Sequence, residues 1–304
     1  MLKKLSPHTR AALLALLVTF LWSTSWVLIR IGLADIPPLP FAGLRYTLAF
    51  LCLLPLALRA RQLVPLRRAS GRTWLRLVLL GVLMVAITQG AQFVSLFYLP
   101  ASTTSLVLSF TTIMVAFLGA WLLRERPRPI QWAGTVLYLA GVGVYLVPVT
   151  VPKGDAIGLS VALTGMLANA LSSVLGRSVN RDEGLSPLAV TVVSIGTGGV
   201  LLLVVGVALE GLPRLTLTNW AIVLWLAVVN SALAYTLWNY SLRTLSAMES
   251  SVINNTMLFQ IALLAWLLLG ERLTPAQAAG IVLAGLGTLV VQVRTGGIAQ
   301  EARK

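Results

Sequence analysis

Residues 120–126 read A-W-L-L-R-E-R, and residues 265–272 read A-W-L-L-L-G-E-R. The match extends beyond these segments, because a proline, a glutamine and two glycines recur at the interval that separates Glu125 from Glu271, here called the repeat offset. The recurring residues are Pro129, Gln131, Gly134 and Gly141, followed by Pro275, Gln277, Gly280 and Gly287. A match that keeps its register over this length predicts a duplicated protein.

The composition predicts a membrane protein. Hydrophobic residues make up 58% of the chain, charged residues make up 11%, and the mean hydropathy is +0.89. Apolar runs of about 20 residues, the length that crosses a bilayer, follow one another with short gaps. No strand alternation is visible, so the fold class is an all-α integral membrane protein. Ten transmembrane helices are predicted at residues 11–31, 39–58, 76–97, 101–123, 130–149, 157–176, 188–209, 220–242, 248–269 and 276–293.

The basic residues predict the orientation, because lysines and arginines in short loops stay in the cytoplasm. With the N-terminus inside, the cytoplasmic segments contain most of the 23 lysines and arginines, and the outer segments contain Arg30, Lys153, Arg214 and Arg272. Both termini are therefore expected in the cytoplasm. The net charge of +14 is explained by loops that face anionic lipid headgroups, so nucleic acid is not an expected partner.

This orientation also predicts how the two copies are related. Repeats at 1–152 and 153–304 would each contain five helices, and an odd number of spans inverts the second copy. Glu125 then lies at the cytoplasmic end of its helix, and Glu271 lies at the outer end of its own helix. Inverted repeats rock about a site near the bilayer midplane, so the sequence predicts a solute transporter that works by alternating access.

Several short motifs resemble those of a known family. L-W-S-T-S at 21–25, L-R-Y at 44–46, and the two W-L-L-(x)-E-R ends followed by glutamine and glycine are similar to the ten-helix EamA branch of the drug/metabolite transporter superfamily. The resemblance implies efflux or exchange of small metabolites, often amino acids, and a bacterial inner membrane location. It also implies a central cavity lined mainly by helices one, three, four, six, eight and nine. The prolines that are frequent in helices four and nine of that family are missing here. The sequence therefore does not decide whether those two helices are kinked.

Polar side chains inside the spans locate a predicted binding site, because such groups are costly in lipid unless they face a wet cavity or another helix. Trp22 and Trp26 lie one turn apart near mid-depth, which favours a binding wall over an interfacial anchor. Any single polar residue could instead form a helix-to-helix hydrogen bond, and both Asn230 and Trp238 stay ambiguous. The residues predicted to bind the solute are Trp22, Trp26, Gln89, Gln92, Asn169 and Tyr235.

Two charged residues within the spans have competing interpretations. Arg45 either pairs with a carboxylate of the solute, or it caps backbone carbonyls or extends to the outer interface. The second interpretation is favoured, since the resemblance implies an arginine there in members with differing substrates. Glu249 could carry a proton, but its place at the start of the ninth helix favours a charge stabilised by the helix dipole. No other acid lies within a span, which favours a facilitator or a carrier coupled by another route.

The residues required for most enzyme chemistry are missing from the sequence. Cys52 and His8 are the single cysteine and histidine, which excludes an internal disulfide and the usual thiolate or histidine metal clusters. No G-x-x-x-x-G-K phosphate motif occurs, which removes a built-in ATP motor. We therefore expect no enzyme activity, no cofactor and no metal site.

The resulting prediction is a secondary transporter that exports small metabolites, foremost amino acids, aromatic ones among them, or related compounds. The alternative is a membrane channel or uniporter for small polar solutes, although a channel would need a continuous polar lining. Glycines seven residues apart in the fifth and tenth helices predict close packing, either within each half or between two copies of the chain. A monomer and a homodimer are both compatible with this pattern, and the expected partners are the solute and membrane lipid.

Overall fold

The computed structural model describes residues 6–98, 104, 107–108, 110–122, 128–145, 156–182, 184–257, 259–261, 264 and 274–292. Helices α1 to α12 run in chain order over Pro7–Gly32, Pro38–Arg59, Gly71–Gly81, Thr88–Tyr98, Thr111–Leu122, Pro129–Tyr145, Ala156–Asp182, Pro187–Glu210, Leu217–Ala227, Ala234–Ser241, Ala247–Asn255 and Pro275–Gln292. A short 3-10 helix, Val64–Arg68, lies between α2 and α3. Each of the ten predicted spans contains helix among these residues, and the all-α class is confirmed.

Six helical segments of the described chain are long and apolar enough to cross a membrane. They are Pro7–Ile29, Pro38–Arg59, Gly71–Ser95, Ala156–Arg181, Pro187–Glu210 and Leu217–Ser241. Thr111–Leu122 and Ala278–Gly287 are shorter apolar helices. Large apolar side chains such as Leu17, Phe20 and Leu56 are exposed, as expected for a surface that meets lipid tails. The chain is therefore a multi-pass integral membrane protein.

Hydroxyl side chains begin five of the described helices. Each accepts a hydrogen bond from the backbone N–H three residues later, which satisfies a donor that the helix itself leaves unpaired. These residues are Ser6, Ser70, Ser186, Thr216 and Ser246. Ser70 and Thr216 stand at the repeat offset from each other, so α3 and α9 begin at matched positions.

Two π-helical turns interrupt the third and eighth predicted spans. The first wide turn, Val82–Ile87, joins α3 to α4, and the second wide turn, Val228–Leu233, joins α9 to α10. The first residues of the two turns are separated by the repeat offset, and so are their last residues. Neither turn contains the proline or glycine that would have marked it in the sequence. Turns of this kind are frequent at functional sites.

The fourth and ninth predicted spans are interrupted at Phe110 and Thr256, again at the repeat offset. At each of the two residues, the N–H donates to the carbonyl three residues earlier, and the carbonyl accepts from the N–H four residues later. Because the prolines are missing, the sequence did not decide whether these helices are kinked. The structure has a turn in both helices without a proline. The interruptions in these two helices therefore do not arise from the missing backbone donor of a proline.

Helices α2 and α8 pack against each other in antiparallel directions. Gly199 lies against Tyr46, and Gly206 lies against Leu39, so residue numbers rise along one helix as they fall along the other. A Cβ atom at Gly199 would lie 2.8 Å from the Cβ of Tyr46, closer than side chains can pack. The absence of side chains at these glycines therefore permits the close approach of the two helices.

Helices α6 and α12 form a second antiparallel pair. A Cβ at Gly141 would lie 2.7 Å from the carbonyl oxygen of Gly280, and a Cβ at Gly287 would lie 2.7 Å from that of Gly134. Gly141 and Gly287 are separated by the repeat offset, and so are Gly134 and Gly280, so the two contacts are equivalent. The sequence offered two packing arrangements for these glycines, one within each half and one between two copies of the chain, and both are wrong. The glycines instead form contacts between the two halves of one chain.

Some sequence predictions fall on parts of the chain that the structure does not describe. Glu125 and Glu271, with the W-L-L-(x)-E-R ends around them, lie outside the described residues. The side chains of Gln277 and Asn255 also lie outside the described part, although both residues belong to helices.

Candidate functional site

A cavity of about 160 Å³ lies between helices from both halves. Its described lining comes from α1, α2, the first wide turn, α4, α7, α10 and α11. Four further lining residues lie outside these segments: Leu108, Leu242, Met257 and Ile261. The volume is close to the roughly 150 Å³ of an apolar protein cavity that binds benzene. The space can therefore accommodate a group of the size of an aromatic ring.

The six residues predicted to bind the solute all line this cavity. Packing of α1 against α10 and of α4 against α7 brings them together from distant parts of the chain. The six are Trp22 and Trp26 from α1, Gln89 and Gln92 from α4, Asn169 from α7 and Tyr235 from α10. Their convergence agrees with the sequence prediction, and their contact with a solute stays a prediction.

One side of the cavity is formed by four ring side chains, here called the aromatic wall: Trp22, Tyr46, Tyr235 and Trp238. The ring centroid of Trp22 lies 5.0 Å from that of Tyr235 and 5.2 Å from that of Trp238. Tyr46 meets Tyr235 edge to face at 5.9 Å. Such tilted and edge-to-face pairs are favourable arrangements of aromatic rings. The four rings of the wall are therefore connected by ring contacts.

Trp22 and Trp26 differ in how firmly they are held. The indole Nε1 of Trp22 donates to the backbone carbonyl oxygen of Asn230 at 2.9 Å, and its ring lies between Tyr235 and Trp238. Trp26 lines the cavity too, but among the described residues it has no ring partner or side-chain hydrogen bond. Trp26 can therefore contact a solute without first breaking other interactions.

Four amide side chains, here called the amide cluster, also line the cavity: Gln89, Gln92, Asn169 and Asn254. Within the described ranges, none of these side-chain amides has a hydrogen-bond partner in the protein. Buried or half-buried polar groups normally find a partner, and each amide offers two donor hydrogens and an acceptor oxygen. The amide cluster therefore has hydrogen-bonding capacity available for a solute or for water.

Arg45 is buried, with 3% of its surface exposed, and it lines the cavity. Its Nε donates to the hydroxyl oxygen of Ser231 at 2.8 Å, and its Nη2 donates to the carbonyl oxygen of Asn230 at 3.3 Å. The guanidinium carbon lies 5.0 Å from the ring centroid of Tyr46. The contact with the carbonyl of Asn230 agrees with one of the two favoured alternatives, in which Arg45 caps carbonyls. Its burial argues against the other, in which Arg45 extends to the outer interface.

The two residues left ambiguous by the sequence have different roles. Trp238 belongs to the aromatic wall and not to an interfacial belt; its spacing of three residues from Tyr235 is the signal that could have shown this. Asn230 forms helix-to-helix hydrogen bonds. Its side-chain Nδ2 donates to the carbonyl oxygen of Leu21 and, at 3.2 Å, to the hydroxyl of Thr24. The second wide turn thereby holds α1 in place beside the cavity.

Glu249 lies away from the cavity, at the start of α11. Its carboxylate accepts from the N–H of Ser246 at 2.8 Å, and the Ser246 hydroxyl accepts from the N–H of Glu249, which forms a capping box. His8 Nε2 lies 3.3 Å from the other carboxylate oxygen. The predicted placement of Glu249 at a helix N-terminus is confirmed, and its partners tie α1 to α11.

The chain has relatives among known proteins. The model of the EamA-like transporter family matches residues 9–147 and 156–293. The probable amino-acid metabolite efflux pump of Salmonella typhimurium is 30% identical over 292 residues, which cover 91% of this chain and 93% of that protein. Protein PecM of Dickeya dadantii is 30% identical over 225 residues, which cover 73% of this chain and 74% of that protein. The uncharacterized inner membrane transporter YedA of Escherichia coli strain K12 is 29% identical over 237 residues, with 77% and 74% covered.

A solved crystal structure shares the fold at a TM-score of 0.80 and 19% sequence identity, over 97% of this chain and 99% of that chain. The family model covers nearly the whole chain in two stretches. The two relatives at 30% identity are each covered over more than two thirds of their length. The chain belongs to the EamA-like transporter family of membrane transporters.

Proposed function

We propose that the protein is a secondary transporter that exports small metabolites through this cavity by alternating access. Amino acids, aromatic ones among them, and related compounds are the proposed substrates. The observation that carries the proposal is that the aromatic wall and the amide cluster line one space. Rings suit the apolar body of such a solute, and unbonded amides suit its polar end. The name of the Salmonella relative, an amino-acid metabolite efflux pump, supports the same class.

The proposed frame is ten transmembrane helices in two inverted repeats, at 1–152 and 153–304. The family model matches the two halves separately, which supports a duplication. Two helices exchanged by a two-fold axis in the membrane plane run in opposite directions, and α2 with α8 and α6 with α12 are two such pairs. The wide turns and the interruptions at Phe110 and Thr256 recur at the repeat offset, which also supports this frame.

The proposed location is the bacterial inner membrane, with both termini in the cytoplasm. The concentration of lysines and arginines in alternate loops supports the orientation. The name of YedA, an inner membrane transporter, supports the membrane.

Counterflow in liposomes tests the transport proposal. Purified protein is reconstituted into liposomes that contain unlabelled L-phenylalanine, and uptake of labelled L-phenylalanine is followed with time and concentration. A carrier predicts saturable uptake and a transient excess of label inside. Flux that stays linear in concentration without counterflow would indicate a channel, and product formation without net movement would indicate an enzyme.

Two tryptophan variants test the site. Trp22→Ala and Trp26→Ala should each reduce flux at low substrate by about tenfold or more, the equivalent of about 1.4 kcal/mol. Trp26→Ala should do so without loss of folded protein, because Trp26 has no described internal partner. Trp225, whose side chain is exposed on α9, provides the control variant Trp225→Ala. Wild-type flux in both cavity variants would contradict the proposed site.

A further inference from the structure

Arg45 is the charged residue among the described residues that line the cavity, and no aspartate or glutamate joins it there. A guanidinium stays protonated in proteins, so burial does not remove its charge. A buried charge without a counter-ion is unfavourable unless its surroundings or a ligand compensate it. The described lining of the cavity therefore has a net positive charge.

The described acidic side chains do not supply the missing counter-ion. Asp35 accepts a hydrogen bond from the side chain of Asn219, and Glu210 accepts from the backbone N–H of Leu39. Glu249 is engaged in its capping box at the start of α11. All three lie outside the lining of the cavity.

The neutral partners of Arg45 hold it in one orientation but use only part of its capacity. Ser231 and the carbonyl of Asn230 accept from Nε and Nη2, whereas Nη1 has no partner among the described residues. The ring of Tyr46 adds an attraction for the cation without neutralising it. A guanidinium has five N–H donors in a planar fork that matches the two oxygens of a carboxylate. Donors therefore remain for an anionic group that enters the cavity.

We infer that Arg45 binds the carboxylate of the solute, and that the preferred solute is an organic acid with an aromatic body and a net charge of −1. This inference rests on the proposed function, since it assigns a charge to the solute of the same cavity. A monoanion neutralises the site. A zwitterionic amino acid leaves the net charge unchanged and brings an ammonium group for which the described lining offers no carboxylate. The α-ammonium group is therefore dispensable, and the carboxylate is required.

Ligand competition on the purified protein tests this ranking. Binding of labelled 3-phenylpropionate is measured in detergent, with L-phenylalanine, 3-phenylpropanamide and phenethylamine as competitors. These compounds share a phenyl group and differ in charge. Unlabelled 3-phenylpropionate should compete at least as well as L-phenylalanine, and phenethylamine should compete roughly ten- to a hundredfold less well, as expected for the loss of a charged hydrogen bond. Equal competition by phenethylamine, or no binding of 3-phenylpropionate, would overturn the inference.

Variants of Arg45 test the residue itself. Arg45→Gln should weaken binding of 3-phenylpropionate roughly ten- to a hundredfold and leave binding of the neutral 3-phenylpropanamide unchanged. Binding of the amide shows that the cavity is intact, so a purely structural role would weaken both ligands together. Arg45→Lys keeps the charge and should retain the preference for the acid over the amide; loss of that preference would contradict the inference even if Arg45→Gln does not fold.

Arg243→Gln is the matched control for these variants. Arg243 also donates to a backbone carbonyl oxygen, that of Leu185, but it lies outside the cavity lining. Its removal should leave the ranking of the four ligands unchanged. An equal loss of acid binding in Arg243→Gln would show that the effect is not specific to Arg45 and would overturn the inference.

Flux measurements separate this inference from the transport proposal. Charge-ranked binding that depends on Arg45, without counterflow in liposomes, would support the anion site and contradict the carrier. Saturable counterflow that is equal for phenethylamine and 3-phenylpropionate would support the carrier and contradict the anion site.

Discussion

The two wide turns occupy matched positions, but they hold different side chains. The central residues of the first are Met84 and Val85, and those at the matched positions of the second are Asn230 and Ser231. Asn230 holds α1 through its side-chain amide, and Ser231 accepts a hydrogen bond from Arg45. The backbone geometry is thus shared by the two halves, whereas the polar contacts that organise the cavity come from one of them.

The helices that follow the wide turns repeat this contrast. Gln89 and Gln92 on α4 stand at the repeat offset from Tyr235 and Trp238 on α10, and all four line the cavity. Matched positions therefore present amides from one half and rings from the other. Matched helix positions with different lining side chains suit a solute with one polar end and one apolar end, which is the kind of compound proposed here.

The largest expected effect comes from the glycine contacts between α6 and α12. Gly141→Leu and Gly287→Leu should each destabilise the protein by about 3 kcal/mol or more, because the new side chain meets backbone atoms of the facing helix. A Cβ at Gly143 or Gly285 would meet no facing atom of the described chain within 4 Å, so Gly143→Leu and Gly285→Leu provide the controls. Thermal unfolding of the purified variants measures the difference. Destabilisation by only one of the two contact variants would contradict equivalent contacts in the halves.

The second effect comes from the difference between the wide turns. Asn230→Ala removes two side-chain hydrogen bonds to α1 and should reduce stability by about 2 kcal/mol, together with the flux per folded protein. Asn219→Ala is the control, since Asn219 is also buried and bonds to Asp35 away from the cavity. Thermal unfolding and liposome flux are measured for both. Normal flux in Asn230→Ala would show that the second wide turn does not organise the site.

A smaller and equal effect is expected at the matched helix starts. Ser70→Ala and Thr216→Ala each remove the side-chain oxygen that caps a helix, and each should reduce stability by about 1 kcal/mol. Thermal unfolding measures both changes. A clear loss at one position and none at the other would show that the two helix starts are not equivalent.

The smallest effect on stability is expected in the amide cluster. Gln89→Leu removes an amide without a described partner, so stability should change by less than about 0.5 kcal/mol. The affinity for a solute should fall roughly three- to tenfold, because one hydrogen bond to its polar end is lost. Concentration dependence of liposome flux measures this change. Strong destabilisation with unchanged affinity would assign Gln89 a structural role instead.

The helical character of the apolar runs could be predicted because the bilayer imposes a simple length requirement. Each apolar run contains helix, although the boundaries differ; the third span was expected from residue 76, and α3 begins at Gly71. The wide turns could not be predicted. Residues 82–87 and 228–233 contain no proline or glycine, and a π-helical turn here depends on how the whole helix packs against its neighbours.

The cavity was predictable in part for a similar reason. Polar residues far from the helix ends, such as Asn169 and Gln92, have little alternative but to face the interior. Trp238 lies near the end of its span, where an interfacial position was equally reasonable. Its three-residue spacing from Tyr235 favours the aromatic wall, and the packing of α10 on α1 places it there. The burial of Arg45 likewise depends on Ser231 and Asn230, which lie far away in the sequence.

Labelling of two matched positions tests the inverted arrangement most directly. Arg128 and Thr274 are exposed at the starts of α6 and α12, and Cys52, the native cysteine, is first replaced by serine. Arg128→Cys and Thr274→Cys are then treated with a membrane-impermeant maleimide in right-side-out vesicles. Inverted repeats predict labelling of Thr274→Cys in intact vesicles and of Arg128→Cys only after permeabilisation. Labelling of both from the same side would contradict the inverted arrangement.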